Sequence, residues 1–234
     1  MLFLRLLALF GFLVSSECFS LPIGSCVDNG VIAFTFDDGV SNNYGLLLDT
    51  LKRENIKAGL FIVGNTLYSK YRQNLVKRAV SDGHLVLNHS FSHSNFVKLS
   101  EAEIQAEILS TELLFNNIFK KNTIKVIRTP FGSFDDRVLK IIDDIGYKVV
   151  LWNMNFFDWR IKKTEDDIVK EFNLKLIKIN PQKSSIILLL HDRIKSSVTV
   201  IPRLAEEAKK FNFKVIPFHE CINPTYRQEI IPHN

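Results

Sequence analysis

Seven residues have the types to do chemistry together: the adjacent carboxylates Asp37 and Asp38, the histidines His89 and His93 four apart, then Arg128, Asp158 and His191. Two acids side by side resist joint ionisation unless a cation or guanidinium separates their roles. The pair therefore suggests one carboxylate on a metal and one free to move protons. The His89/His93 spacing is one that brings two imidazoles to the same side of a helical turn, and with Asp38 they would offer two nitrogens and one oxygen. Such a set, with further positions open to water, is a catalytic zinc-type set. Plainer readings exist for each piece: an Asp38-Gly39 turn closing a hairpin, a chance surface histidine pair, a structural ion pair at Arg128. Asn88-His89-Ser90 is also a glycosylation sequon, expected to stay unmodified because a glycan would collide with metal binding.

What positions these residues decides between the readings. The run Val31 to Phe36 is continuously apolar and stops at Asp37, which reads as a strand buried on both faces of a parallel sheet. After it the pattern predicts a helix over 42–54 with Leu46, Leu47 and Leu51 on one face, a strand over 58–63, a helix over 68–81 and a short strand over 84–87. Ser100 and Glu103 form a capping-box pattern opening a helix to residue 119, with Ile104, Ile108 and Leu113 sharing a face. A strand over 124–127, a helix over 135–145, a strand over 147–154 and a helix over 164–179 follow, then a strand over 184–190, a helix to 211 and a last strand over 213–216. Some seven strands alternating with helices imply an α/β fold with a parallel sheet, closed into a barrel or partial barrel. An open doubly wound sheet is the alternative, but no glycine-rich phosphate loop follows the first strand. Every candidate reactive group falls at a C-terminal strand end, and in a parallel barrel those ends share one face.

The 234 residues are 46% hydrophobic, enough for a large core, and residues 21–234 read as a single domain. A net charge of +5, spread along the chain, does not point to nucleic acid. Residues 1–20 have the three-part shape of a secretory signal peptide, whose apolar run from Leu6 to Val14 is short for a bilayer span; an uncleaved anchor is the alternative. Cleavage before Leu21 would leave Cys26 and Cys221, either as one disulfide of an exported protein or as two buried thiols. The expectation is a secreted or wall-associated monomer with no membrane span after cleavage.

The ordered set Thr35-Phe36-Asp37-Asp38-Gly39, His89-Ser90-Phe91-Ser92-His93, Arg128-Thr129-Pro130-Phe131-Gly132, Asp158-Trp159 and Leu188-Leu189-Leu190-His191-Asp192 resembles the five motifs of the polysaccharide deacetylases, the NodB-homology or carbohydrate esterase family 4 group. Chitin deacetylases are the nearest in flavour. The resemblance runs from Val27 to Phe218 and implies a distorted (β/α)7 barrel. It implies Asp37 as general base, Asp38, His89 and His93 as ligands of one divalent metal, zinc or else cobalt, and His191 as general acid. Arg128 would pair with Asp37 and keep it ionised. The backbone N–H of Phe131 would hold the oxyanion, Trp159 and Leu189 would form the acetyl-methyl pocket, and Asp158 would line the substrate site; Trp159 and Leu189 could equally be core. Phe156 and Phe157 are candidates for stacking on a sugar. The implied substrate is a chitin-like polysaccharide. Ser94, Thr129 and Asn155 depart from the family pattern, and Asn155 stands where a carboxylate is usual. A non-catalytic carbohydrate-binding protein and an acetylxylan esterase are the rival functions. His84, His219 and His233 are assigned structural or surface places, and Asp192 no catalytic role.

Overall fold

A computed structural model of the chain describes residues 19–120 and 123–223. Most of the expected signal peptide, Cys18 and His233 lie outside the described residues. Strands β1 (Val31–Gly39), β2 (Gly59–Ile62), β3 (Leu85–Asn88), β4 (Val126–Ile127), β5 (Lys148–Val149), β6 (Met154–Asn155), β7 (Ile186–His191) and β8 (Lys214–Val215) form one sheet. All pairings are parallel, in the order β5-β4-β3-β2-β1-β7-β6, with β8 beside the start of β1. Helices α1 (Tyr44–Arg53), α2 (Lys70–Ser81), α3 (Glu101–Phe119), α4 (Asp136–Asp144), α5 (Glu165–Leu176), α6 (Lys195–Thr199), α7 (Ile201–Lys210) and α8 (Phe218–Ile222) occupy the connections. The sheet is curled into the distorted barrel that the alternation predicts.

The two-residue period of a strand explains how the barrel is filled and where its chemistry points. On β1, Ile32, Phe34 and Phe36 pack outward under the helices, whereas Val31 and Ala33 join Phe61, Leu85, Leu87 and Ile187 in the interior cluster. Continuing the inward set by two gives Thr35 and Asp37 on β1, and on β7 it gives Leu189 and His191. The polar site is thus the top layer of an otherwise apolar barrel, and truncating a buried phenylalanine below it is expected to cost about 3 to 5 kcal/mol.

The region read as one strand over 147–154 is two short strands at opposite edges of the sheet. The chain passes from β5 to β6 with no helix between them, so this crossing spans the gap in the barrel. Ile23 bridges to Val150, and the Asn153 side chain bonds the backbone of Ser185 and Ile187. The helix expected up to 211 is broken into α6 and α7, because Pro202 can open a helix but not sit inside one. Leu113 is 61% exposed, since the buried face of α3 runs through Ile104, Ile108, Thr111, Phe115 and Ile118 and Leu113 lies across the helix from it. Leu46 is similarly displaced from the Tyr44, Leu47, Leu48 and Leu51 face of α1. The capping box at Ser100 is formed as read.

Cys26 and Cys221 are joined in a disulfide, 195 residues apart in sequence. His84 is buried with its Nδ1 accepting the Ala58 N–H at 3.1 Å, a structural place, and burial, then Lys57, pushes its pKa down to about 4. His219 lies in α8. Among the described residues no helix is long and apolar enough to cross a membrane.

Candidate active site

Asp37 and Asp38 end β1, whose last residue pairs run to β2 and β7, so both carboxylates are fixed by the middle of the sheet. Arg128, just past β4, is fully buried beneath them. Its Nη1 donates to Asp37 Oδ1 at 2.7 Å and to Thr35 Oγ1 at 2.9 Å, while Nε and Nη2 donate to the carbonyls of Val150 and Leu151 at 3.2 and 2.8 Å. The guanidinium lies over the Phe61 ring, 4.0 Å from its centroid. Burial lowers the Arg128 pKa and Asp37 opposes that shift.

His89 follows β3 and directs Nδ1 at the Arg128 carbonyl, 2.8 Å away, which fixes that nitrogen as the donor and leaves Nε2 facing the carboxylates. Asp38 Oδ1 lies 3.6 Å from His89 Nε2 and 3.3 Å from His93 Nε2. The expected helical turn between the two histidines is absent: Ser90 and His93 have φ of 65° and 61°, and the segment is a loop. The loop is held from α3, where Glu107 accepts the N–H groups of Phe91 and Ser92 at 3.0 and 2.8 Å and the Ser92 hydroxyl at 2.6 Å. Asn88 adds a bond from the Ser90 N–H at 2.8 Å.

The donors of Asp38, His89 and His93 lie within 4.8 Å of one another, so this cluster can hold a metal ion. The chemistry of the set fits. His89 offers a free Nε2, and burial, then His89, pushes the His93 pKa down and favours the neutral imidazole a metal needs. For Asp38, burial works to raise the pKa, but the nearby imidazoles of His89, His191 and His93 outweigh it and hold the carboxyl well below the usual range. The second Asp38 oxygen accepts Arg193 Nε at 3.0 Å.

His191, the end of β7, is gripped by Asp158: Oδ1 lies 2.8 Å from His191 Nδ1, and Oδ2 accepts the His191 N–H at 3.0 Å. Ser197 Oγ donates to Oδ2 at 2.6 Å. Burial alone would depress the His191 pKa; Asp158, then Asp37 and Asp38, overcome it and the net shift is upward. His191 Nε2 is left 4.0 Å from Asp38 Oδ2.

These groups open on a cavity of about 160 Å³ lined by Asp37, Asp38, His93, Phe131, Trp152, Trp159, Leu189, His191 and Arg193. Of the residues expected at the substrate site, Phe131, Trp159 and Leu189 line it. Asp158 does not: it is buried behind His191, a correction that follows from its bonds to that residue. Phe156 is also corrected, being buried in the core edge-to-face with Phe172, while Phe157 is exposed beside Trp159. Asn155 Oδ1 is buried without a partner, and Asn155 shares no hydrogen bond with His191. Asp192 is buried behind the site, accepting the Ser41 N–H at 2.8 Å, and burial pushes its pKa up to about 6.

Arg193, Trp152 and Glu107 escape the sequence reading, and Thr35 enters it only as part of a motif, without a role. Arg193 was within reach of it, as the next charged side chain after His191-Asp192; nothing local marks Glu107, which acts on a loop 15 residues away. Trp152 limits the turn after β4, where a Cβ on Gly132, itself at φ +63°, would meet the indole at 2.8 Å. Of the eight non-glycine residues with positive φ among the described residues, five are Asp38, Ser90, His93, Phe131 and Phe157, so backbone strain gathers at the site loops.

Comparison with known proteins agrees with this geometry. The family model for polysaccharide deacetylase matches residues 24–150. A peptidoglycan-N-acetylglucosamine deacetylase of Bacillus cereus is 31% identical over 194 residues, covering 81% of this chain and 70% of that protein. The structure of the chitin deacetylase from Colletotrichum lindemuthianum superposes with a TM-score of 0.82 at 26% identity, covering 89% of this chain and 95% of that one. A family 4 pseudoenzyme from Bacillus anthracis shares the fold, with a TM-score of 0.75 at 24% identity over 87% of this chain and 69% of its own. With the family model spanning more than half of the chain and a relative of this identity matched over most of its length, the chain belongs to the polysaccharide deacetylase family, carbohydrate esterase family 4.

Proposed function

We propose that this protein is a secreted, metal-dependent hydrolase that removes acetyl groups from N-acetylglucosamine units of a cell-wall polysaccharide. The observation that carries the reading is that one small cavity gathers a carboxylate tethered by a buried arginine, a two-histidine, one-aspartate cluster and a histidine held by an aspartate. A divalent ion, zinc for this donor set, held by Asp38, His89 and His93 would supply Lewis acidity towards the acetyl carbonyl and the attacking water.

The side chains of the chain itself do the rest. Arg128 fixes Asp37 Oδ1, leaving Oδ2 on the His89 side at 3.7 Å from Nε2, where it can take the proton of the attacking water. The water oxygen adds to the carbonyl carbon, and the Phe131 N–H stabilises the negative oxygen that develops. His191, held with Nδ1 on Asp158, delivers its Nε2 proton to the amine as the C–N bond breaks, giving acetate and glucosamine. Trp159 and Leu189 enclose the methyl group. Chitin and peptidoglycan both carry this sugar, and relatives named for each are among those matched.

The rival reading, a non-catalytic binding protein, has Asn155 as its main support. Against it, His191 is held by Asp158, and Asn155 makes no hydrogen bond to the acid. The test is acetate release from N-acetylglucosamine oligomers by the metal-stripped protein, then after zinc or cobalt reloading, beside Asp37→Asn. Metal-dependent release that disappears in the variant supports the reading. No release from chitin oligomers, peptidoglycan fragments or acetylated xylan with metal bound overturns it. For the esterase alternative, His191→Ala should lower amide cleavage far more than ester cleavage, since an amine leaving group needs its proton.

A further inference from the structure

Six aromatic side chains are exposed among the described residues: Tyr68, Tyr71, Phe91, Phe131, Phe157 and Trp159. All six follow strand C-terminal ends: Tyr68 and Tyr71 after β2, Phe91 after β3, Phe131 after β4, Phe157 and Trp159 after β6. Among the described residues the connections at the opposite end of the barrel carry none, and the exposed Leu109, Leu113, Leu174 and Ile177 are aliphatic. Scattered exposed apolar residues need no explanation, but confinement of one type to one face does.

Three of the six lie at or beside the cavity, which Phe131 and Trp159 line. Tyr68 and Tyr71 do not line it, yet at 77% and 71% exposure they are the most open aromatics of the set. They are also rigidly tied to the site. Thr66, two residues before Tyr68, accepts the Val40 N–H at 2.9 Å, immediately beyond the Asp37-Asp38-Gly39 strand end. Gly64 and Asn65 donate to the carbonyls of Ser90 and Phe91, both at 2.9 Å, lacing the same segment to the histidine loop. Arg72 backs the Tyr68 ring at 4.8 Å and bonds the Thr66 carbonyl at 3.3 Å, which braces one face of the ring and leaves the other open. The exposed Lys70, two residues on at the start of α2, adds a hydrogen-bonding side chain, while Gln73 bonds the Leu67 carbonyl at 3.0 Å and braces the segment. A braced, solvent-facing ring flanked by hydrogen-bonding side chains suits the apolar face and hydroxyl edge of a sugar.

We propose that Tyr68 and Tyr71 form a distal carbohydrate station that stacks sugar residues of the same N-acetylglucosamine-containing chain whose acetyl group enters the cavity. This inference rests on the deacetylase reading for its ligand and extends it from a single sugar to a polymer.

The test compares wild type with Tyr68→Ala/Tyr71→Ala and Tyr68→Trp/Tyr71→Trp. The ratio of kcat/KM on a long oligomer to that on the dimer should fall about tenfold in the alanine variant and recover in the tryptophan variant. Binding to insoluble chitin and to peptidoglycan glycan strands, measured in an Asp37→Asn background, should weaken in parallel; the polymer more affected identifies the source of the chain. Thermal unfolding checks that the alanine variant is folded, as removal of two exposed side chains predicts. An unchanged length ratio with unchanged polymer binding overturns the station, and so does a wild-type protein that binds neither polymer. If no oligomer is hydrolysed but polymer binding falls in the alanine variant, the station stands and the deacetylase reading fails.

Discussion

Asp158 holds His191 at two points, with one carboxylate oxygen 2.8 Å from the ring Nδ1 and the other accepting the same residue's backbone N–H at 3.0 Å. The double contact fixes both the tautomer and the direction of the ring. An asparagine that keeps the backbone bond turns its NH2 towards Nδ1, which makes that nitrogen an acceptor and disfavours the doubly protonated ring that delivers the Nε2 proton. Asp158→Asn is expected to lower kcat for amide hydrolysis about 100-fold or more. Asp158 also counters the depression that burial imposes on His191, so in the variant the imidazolium loses its proton at lower pH. The alkaline limb of the rate profile should therefore move to lower pH, which pre-steady-state and steady-state pH profiles can read.

Arg128→Met removes a buried cation that neutralises Asp37 and bonds two carbonyls. Leaving Asp37 buried and unpaired is expected to destabilise the fold by about 3 to 5 kcal/mol, measured as a lower urea midpoint with similar m. Arg128→Lys cannot span the same partners and should recover only part of the loss.

Zinc added to stripped protein should raise Tm. At a free concentration about 100 times Kd the stabilisation is about 2.7 kcal/mol, because the ion binds the folded state. His93→Ala should abolish the shift, and titration calorimetry should show the lost binding directly. The apoprotein is expected to remain folded, since Arg193 and the imidazoles partner Asp38 without an ion.

Acid stability should depend on His84. The unfolded chain takes up its proton from about pH 6.5 downward and the folded chain only near pH 4. Stability is then full above about pH 6.5 and falls by about 3 kcal/mol as the pH drops to about 4. Asp192 acts in the opposite sense, because burial makes the folded state bind that proton first. The readout is thus the difference between wild type and His84→Gln in urea unfolding across this range, with a flatter acid slope expected for the variant.

Asn155→Asp should not raise turnover. Asn155 has no hydrogen bond to His191, and a carboxylate there would be placed where the present side-chain oxygen is buried without a partner. A gain in kcat of tenfold or more would contradict this.

Much of this was legible in the sequence because strand chemistry is local. The apolar run into Asp37-Asp38 and the run into His191 each announce a buried strand and the residue at its end, and the alternation of elements supplies the barrel. The failures came where tertiary contacts overrule local pattern. Residues 147–154 look like one strand because apolar content does not reveal that the chain leaves one sheet edge for the other. His89 and His93 have a helical spacing, but Glu107 holds them on a loop. A motif gives residue order and not which way a side chain turns, so it leaves Asp158 open to the substrate or to the support of His191, and the structure shows the second.

The crossing at residues 150–153 joins the two edge strands of the sheet, and Arg128 bonds two of its carbonyls while also holding Asp37. One guanidinium is therefore both the latch of the seam and the tether of the reactive carboxylate. A change that pulls the guanidinium off those carbonyls would also release Asp37, so loss of hydrolysis is expected to track opening of the crossing.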